Sequence, residues 1–294
     1  MEKWSHTKID TFIRCPEMYR WRYIIKIKPK QKARPLALGA CIASSLSAFR
    51  DKGTFDAASE AFMQTWVKEG RVLASTKEED PLRSVERALE ILDKYIKEYP
   101  DEPNQIIKPE INFDEEIAPD IFFRGRIDGV IRDRNGVGII EDKTASRLGD
   151  YFFVEKGNSY QLKWYLFIAN KLGLFELSDK NLPRGVLNAI YIHPKEYRFR
   201  REPVLKMKKE VEDAGKDLLA WIRHIRCSVD QANFPKADYN ICSQYGGCDY
   251  LPLRRASGEI LRRTLEANYI KSDSEMPKPN LDADQQVILT KLSV

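Results

Sequence analysis

The chain has 294 residues, 43% of them hydrophobic and 32% charged, with a formal net charge of +5. That is enough to bury an ample core in one large domain or two small ones, and no run approaches the roughly 20 apolar residues that a membrane span needs. The opening MEKWSHTK lacks the apolar core of a signal peptide, and the five cysteines are an odd number. The reading is therefore a cytosolic protein whose thiols pack or ligate rather than build a disulfide framework.

Residues 5–23 place Ile9, Phe12, Ile13 and Tyr19 at helical spacing, with Cys15-Pro16 interrupting the pattern. A basic loop follows, carrying Lys26, Lys28, Lys30, Lys32 and Arg34, a cluster that suits a polyanionic partner as well as it suits a solvated surface. Leu38, Cys41, Ile42, Ser45, Leu46 and Phe49 then form the stripe of a packed helix, and further helices are predicted over about 55–69 and 82–99. These stripes read as core. A strand is predicted over 105–117, leading through Ala118-Pro119-Asp120 into the stretch FFRGRIDGVIRDRNGVGIIEDKT, Phe122 to Thr144.

That stretch reads as a hairpin, because two β-branched runs flank Asn135-Gly136, a dipeptide suited to the positive φ angles of a tight turn. With those two as the loop, Asp128 faces Lys143 and Val130 faces Glu141. Alternation then puts Asp128, Glu141 and Lys143 on one face and Asp142 on the other. Two carboxylates at cross-strand spacing can share a small cation with an ammonium beside them. If Ile117 faces Ile121 across the preceding loop, Glu110 lands opposite Asp128 as a third carboxylate, and Arg124 and Arg126 share its face. Three carboxylates so close would repel one another unless a divalent metal neutralised them. Asp142, on the other face, is expected to act only through folding.

A helix is predicted over Asn158–Leu172, capped by Asn158 or Ser159 and stopped at Gly173, with Gln161 and Tyr165 one turn apart. A strand over Gly185–Ile192 completes a crossover whose second strand lies parallel to the first. Helices follow over about 203–227 and 256–268, separated by FPKADYNICSQYGGCDYLPLRR, and a loosely ordered tail covers 271–294. The fold class is thus α/β: a central mixed sheet with an antiparallel hairpin and a parallel crossover, flanked by helices, in a single domain over 1–270. Its helical part is about 5–100, its catalytic core about 105–195 and its C-terminal helical and cysteine segment about 200–270.

FIRCPEMYRWRY (12–23), PE (109–110), GRIDGVI (125–131), IIEDKT (139–144), QLKWY (161–165) and YGGCDYLPL (245–253) occur in an order that resembles the PD-(D/E)XK nuclease superfamily. The likeness is to its RecB-like branch, which includes phage recombination exonucleases and CRISPR-associated adaptation nucleases. The resemblance implies a restriction-endonuclease-like core and a deoxyribonuclease using Mg2+ or Mn2+. It assigns Asp128 and Glu141 as metal ligands, Lys143 as the catalytic lysine, Gln161 and Tyr165 as the helix motif beside the substrate, and Glu110 as an accessory acidic position. Arg126 and the lysines of the basic loop would hold DNA, as a single- or double-stranded end, with any unwinding supplied by a helicase or recombinase partner.

Two positions depart from the family pattern. Where members often carry a metal-binding histidine four residues after a helix glycine, Gly39 is followed by Ala40, Cys41, Ile42 and Ala43. An iron-sulfur cluster, held in many relatives by four cysteines, would find Cys15, Cys242 and Cys248 here, but Arg254 stands at the fourth position. A catalytically impaired nucleic-acid-binding protein on the same fold is the alternative those departures leave open.

Overall fold

The structure, a computed structural model, describes residues 1–30, 34–69, 84–134, 136–176, 182–193, 195–243 and 247–272. It divides into two compact units, Met1–Lys3 with Lys32–Asp217, and Trp4–Gln31 with Leu218–Val294. Numbered along the chain, the strands are β1 (Glu2–Trp4), β2 (Ile27–Pro29), β3 (Ile106–Lys108), β4 (Ile111–Ala118), β5 (Ile121–Ile127), β6 (Gly129–Asp133), β7 (Gly136–Ala145), β8 (Arg184–Tyr191), β9 (Phe199–Leu205) and β10 (Tyr269–Lys271).

In the first unit one sheet runs β3-β6-β7-β8-β9 and a second runs β1-β5-β4. β7 and β8 are parallel, whereas β6 with β7 and β8 with β9 are antiparallel. A parallel pair needs a long crossover, and the helices Asp150–Gly157 and Tyr160–Lys171 supply it. Ser159 caps the second of these by accepting from the Leu162 N–H, and Gly173 ends it at φ +68°. The helices Arg34–Lys52, Phe55–Glu69 and Val85–Glu98 bury their stripes around Leu46, Phe49, Phe62, Leu92 and Tyr95, together with Ile190 and Ile192. The mixed α/β class predicted from the sequence is the observed one.

Several expectations change. The predicted strand 105–117 is two strands in different sheets, broken at Pro109, which has no N–H to give a ladder. Part of the helix expected from 203 is instead β9, and the helix runs Lys208–Asp230. The segment FRREPVL hides its strand character because it is an edge strand, where charge and a proline are tolerated. The hairpin ladder also differs: Asp133 faces Gly136, Val130 faces Ile139 and Gly129 faces Ile140. Gly136, at φ +97°, thus belongs to the strand rather than to the loop, where a residue without Cβ bears the positive angle. Asn135 lies outside the described residues.

In the second unit the helices His6–Arg14 and Pro16–Tyr19 meet at Cys15, whose Sγ accepts from the Met18 N–H at 3.4 Å. One π-helical turn, Arg20–Ile24, leads into β2, which pairs antiparallel with β10. Trp21, Ile25, Ile27, Tyr250, Leu253, Leu265 and Tyr269 form this unit's core. The sequence reading places a loop at Lys26–Lys30; the structure makes most of it a strand. The tail expected over 271–294 lies outside the described residues from 273 onward.

Candidate active site

Asp128 occupies the break between β5 and β6, where the chain leaves one sheet for the other. Two glycines make that passage: a Cβ at Gly125 would sit 2.7 Å from the Phe113 ring and 3.1 Å from the Tyr165 hydroxyl, and one at Gly129 would meet Ile140 at 2.9 Å. The observed ladder, continued one step from Gly129 and Ile140, sets Asp128 across from Glu141 rather than Lys143. The displacement from the expected register is two residues, and a shift of two leaves every side chain on its own face. Asp128, Glu141 and Lys143 therefore still share a face.

Lys143 donates to Glu141 Oε1 and, at 3.0 Å, to Gln161 Oε1. Glu141 is 2% exposed, and its Oε2 is buried with no hydrogen-bond partner. The buried Tyr165 hydroxyl contacts the Gln161 side chain and the Arg126 backbone. Five of the residues singled out in the sequence thus converge. Glu110 precedes β4, and the pairing of Ile111 with Ile127, continued one step, places it across from Asp128 as expected. At the preceding turn it is Ala118, not Ile117, that faces Ile121, after a bulge. The Glu110 carboxylate is engaged by Arg126 at 3.1 Å and by the Asn112 amide at 3.1 Å, while the Arg126 Nε lies 3.9 Å from Asp128. Among the described residues no three His, Cys, Asp or Glu side chains are gathered to hold an ion, so Glu110 does not join the other two as a set.

Burial pushes the Asp128 carboxyl well above the usual carboxylate range, and the charges of Glu141 and Asp142 push the same way. Burial likewise raises Glu141, against the charge of Lys143. Burial works against the Lys143 ammonium, but Glu141 and then Asp128 outweigh it and hold it charged. A carboxyl that binds its proton more tightly folded than unfolded contributes least stability once it must ionise, so metal-free stability falls as pH rises from the ordinary carboxylate range toward the raised value. In EDTA the melting temperature is therefore expected to be higher at about pH 5.5 than at about pH 8. A scan that is flat, or that rises with pH, would contradict the raised Asp128 carboxyl.

The comparisons with known proteins bear on this geometry. A family model described as the PD-(D/E)XK nuclease superfamily matches residues 3–253. The chain belongs to the PD-(D/E)XK nuclease superfamily. No curated protein matches it. A solved structure described as "Crystal structure of SSO0001" is 15% identical, with a TM-score of 0.25, covering 59% of this chain and 69% of that one.

Membership in the PD-(D/E)XK superfamily implies a metal-dependent nuclease acting on nucleic acid. The carboxylates fit a divalent cation: a buried, unpartnered Glu141 oxygen and a destabilised Asp128 carboxylate are the groups a cation would relieve. The cysteines fit a cluster poorly. Cys15, Cys242 and Cys248 line one small cavity with Met18, Trp21, Tyr250 and Arg254. Arg254 donates to Cys242 Sγ at 3.3 Å and to the Ala237 carbonyl at 2.7 Å. A guanidinium has donors only and cannot act as a ligand. Anaerobically purified protein is expected to be colourless or to carry a labile cluster in low yield. A stable brown sample with near-stoichiometric iron and sulfide would show that Arg254 is no obstacle.

Lys26, Lys28 and Lys30 belong to the second unit. Lys30 Nζ donates to the Glu266 carbonyl at 2.7 Å, and Lys28 pairs with Ile270 across the β2–β10 ladder. Sequence reasoning missed Arg50 and Glu102, two buried charged residues behind the hairpin. No local pattern marks either, because their partners are distant in the chain: Arg50 pairs with Asp142 at 2.6 Å.

No helix among the described residues is long and apolar enough to cross a membrane.

Proposed function

We propose that this PD-(D/E)XK protein is a Mg2+- or Mn2+-dependent deoxyribonuclease of the RecB-like branch, an exonuclease acting on DNA ends in recombination, repair or end processing in the cytoplasm. The observation that carries the reading is Lys143 bonded to both Glu141 and Gln161 on the face of Asp128. Asp128 and Glu141 would hold the cation, which when bound polarises a phosphate and acidifies a water. Lys143, kept charged by Glu141, is suited to stabilise negative charge on the phosphoryl oxygens. Gln161 orients that ammonium, and Tyr165 braces Gln161 against the Arg126 backbone. Arg126, exposed on its outer side, would take a backbone phosphate; Lys26, Lys28 and Lys30, in the other unit, would bind DNA in their own right. Unwinding would fall to a helicase or recombinase partner.

Ala43, at a position where relatives often carry an imidazole, and Arg254, at a cysteine position, favour a second reading, a DNA-binding protein whose chemistry is impaired. Labelled linear and circular DNA, single- and double-stranded, and matched RNA incubated with Mn2+, Mg2+ or EDTA separate the two. Cleavage of linear DNA alone that EDTA abolishes supports the exonuclease. Binding without cleavage in any metal supports the second reading, and preferential cutting of RNA would overturn both.

A further inference from the structure

We propose that Arg50 is a positioning residue for the active-site carboxylates, gripping them from the opposite face of β7; the inference rests on the nuclease reading above. Alternation sends the Asp142 side chain away from Glu141 and Lys143, and on that far side it meets Arg50, at the last turn of the Arg34–Lys52 helix. The two terminal nitrogens of Arg50 donate to the two Asp142 carboxylate oxygens at 2.6 and 2.7 Å. The first of them also donates to the Asp128 main-chain carbonyl at 3.1 Å. The Asp142 N–H in turn donates to Asp128 Oδ2 at 3.0 Å.

This arrangement matters because Asp128 lies between two ladders. The β4–β5 pairing ends at Ile127 and the β6–β7 pairing begins at Gly129, so neither sheet holds Asp128 in place. Arg50 joins the Asp128 backbone to the residue between Glu141 and Lys143, and so sets the spacing of the two carboxylates. Its own orientation is held from behind: Nε donates to Glu102 Oε1 at 2.7 Å, and Glu102 Oε2 lies 2.7 Å from Arg201. Asn188 adds a bond to Asp142 Oδ1 at 2.7 Å. Packed apolar side chains would fill such a site without removing charges from water. What the ions add is direction, and only a planar fork can reach two carboxylate oxygens and a carbonyl together.

The test compares Arg50→Lys with Arg184→Lys, both in full-length protein. Arg184 grips the turn end of the same hairpin, donating to Asp133 Oδ2 at 2.8 Å and to the Gly136 carbonyl at 2.7 Å. Arg50→Lys keeps the charge and loses the fork. Well below its melting temperature it is expected to bind Mn2+, read by the electron paramagnetic resonance of free Mn2+, about tenfold or more weakly, with kcat down about 10- to 100-fold and KM for DNA unchanged. Arg184→Lys is expected to lower the melting temperature while leaving Mn2+ affinity in place. Should Arg50→Lys not fold, Asp142→Asn, which keeps the shape and loses the charge, is expected to weaken Mn2+ binding in the same way. Wild-type affinity in Arg50→Lys or in Asp142→Asn, or an equal loss in Arg184→Lys, would overturn the proposal alone. A wild-type protein that neither binds Mn2+ nor cuts DNA would overturn the nuclease reading, and the proposal with it.

Discussion

Glu141→Gln is expected to slow DNA cleavage about a thousandfold, equivalent to roughly 4 kcal/mol of transition-state stabilisation, while DNA binding stays measurable. The substitution keeps the shape of a side chain that is almost wholly enclosed and removes only its charge. It deletes one of two carboxylates available to a cation and leaves the Lys143 ammonium without its ion-pair partner. Asp128→Asn and Lys143→Ala should fall by similar amounts, since each removes one member of the same face. Single-turnover cleavage at saturating Mn2+, beside a binding isotherm in EDTA, separates lost chemistry from lost affinity. Retention of more than about a tenth of the wild-type rate by Glu141→Gln would remove the residue from the reaction.

Asp142→Ala is expected to destabilise the fold by about 3–5 kcal/mol, because it leaves one end of a buried arginine without its counter-charge. Typical domains have only about 5–15 kcal/mol in total, so the variant should be partly unfolded under mild denaturant. The sequence alone leads to a different expectation, that a residue on the opposite face acts only through folding, by about 1 kcal/mol. The Asp142 side chain is in fact 5% exposed and gripped by Arg50 and Asn188. Urea unfolding in EDTA decides between the two: a midpoint displaced by only about 1 kcal/mol would mean that Arg50 finds sufficient compensation in Glu102.

The hairpin shows how a sequence reading can be partly displaced and still useful. Its ladder lies two residues from the one expected around Asn135-Gly136, yet Asp128, Glu141 and Lys143 remain on one face because strand alternation has a period of two. The helix bearing Gln161 and Tyr165 was legible too, from its serine cap, apolar run and terminal glycine. Glu110 was aligned correctly with Asp128, but its pairing with Arg126 depends on side-chain geometry that strand register does not specify.

Local pattern, then, was sufficient for whatever repeats locally: the helical stripes, the parallel crossover, the convergence of three charged groups, and the resemblance to a nuclease family carried by short motifs. Only the tertiary structure could decide what depends on distant partners. It divides one apparent strand between two sheets at Pro109, places Asp128 at the passage between ladders, and brings Arg50, Glu102 and Arg201 together behind it. Alternation shows which way Asp142 points. Whether that direction meets water or a buried guanidinium is settled by packing between residues far apart in the chain, and no periodicity encodes it.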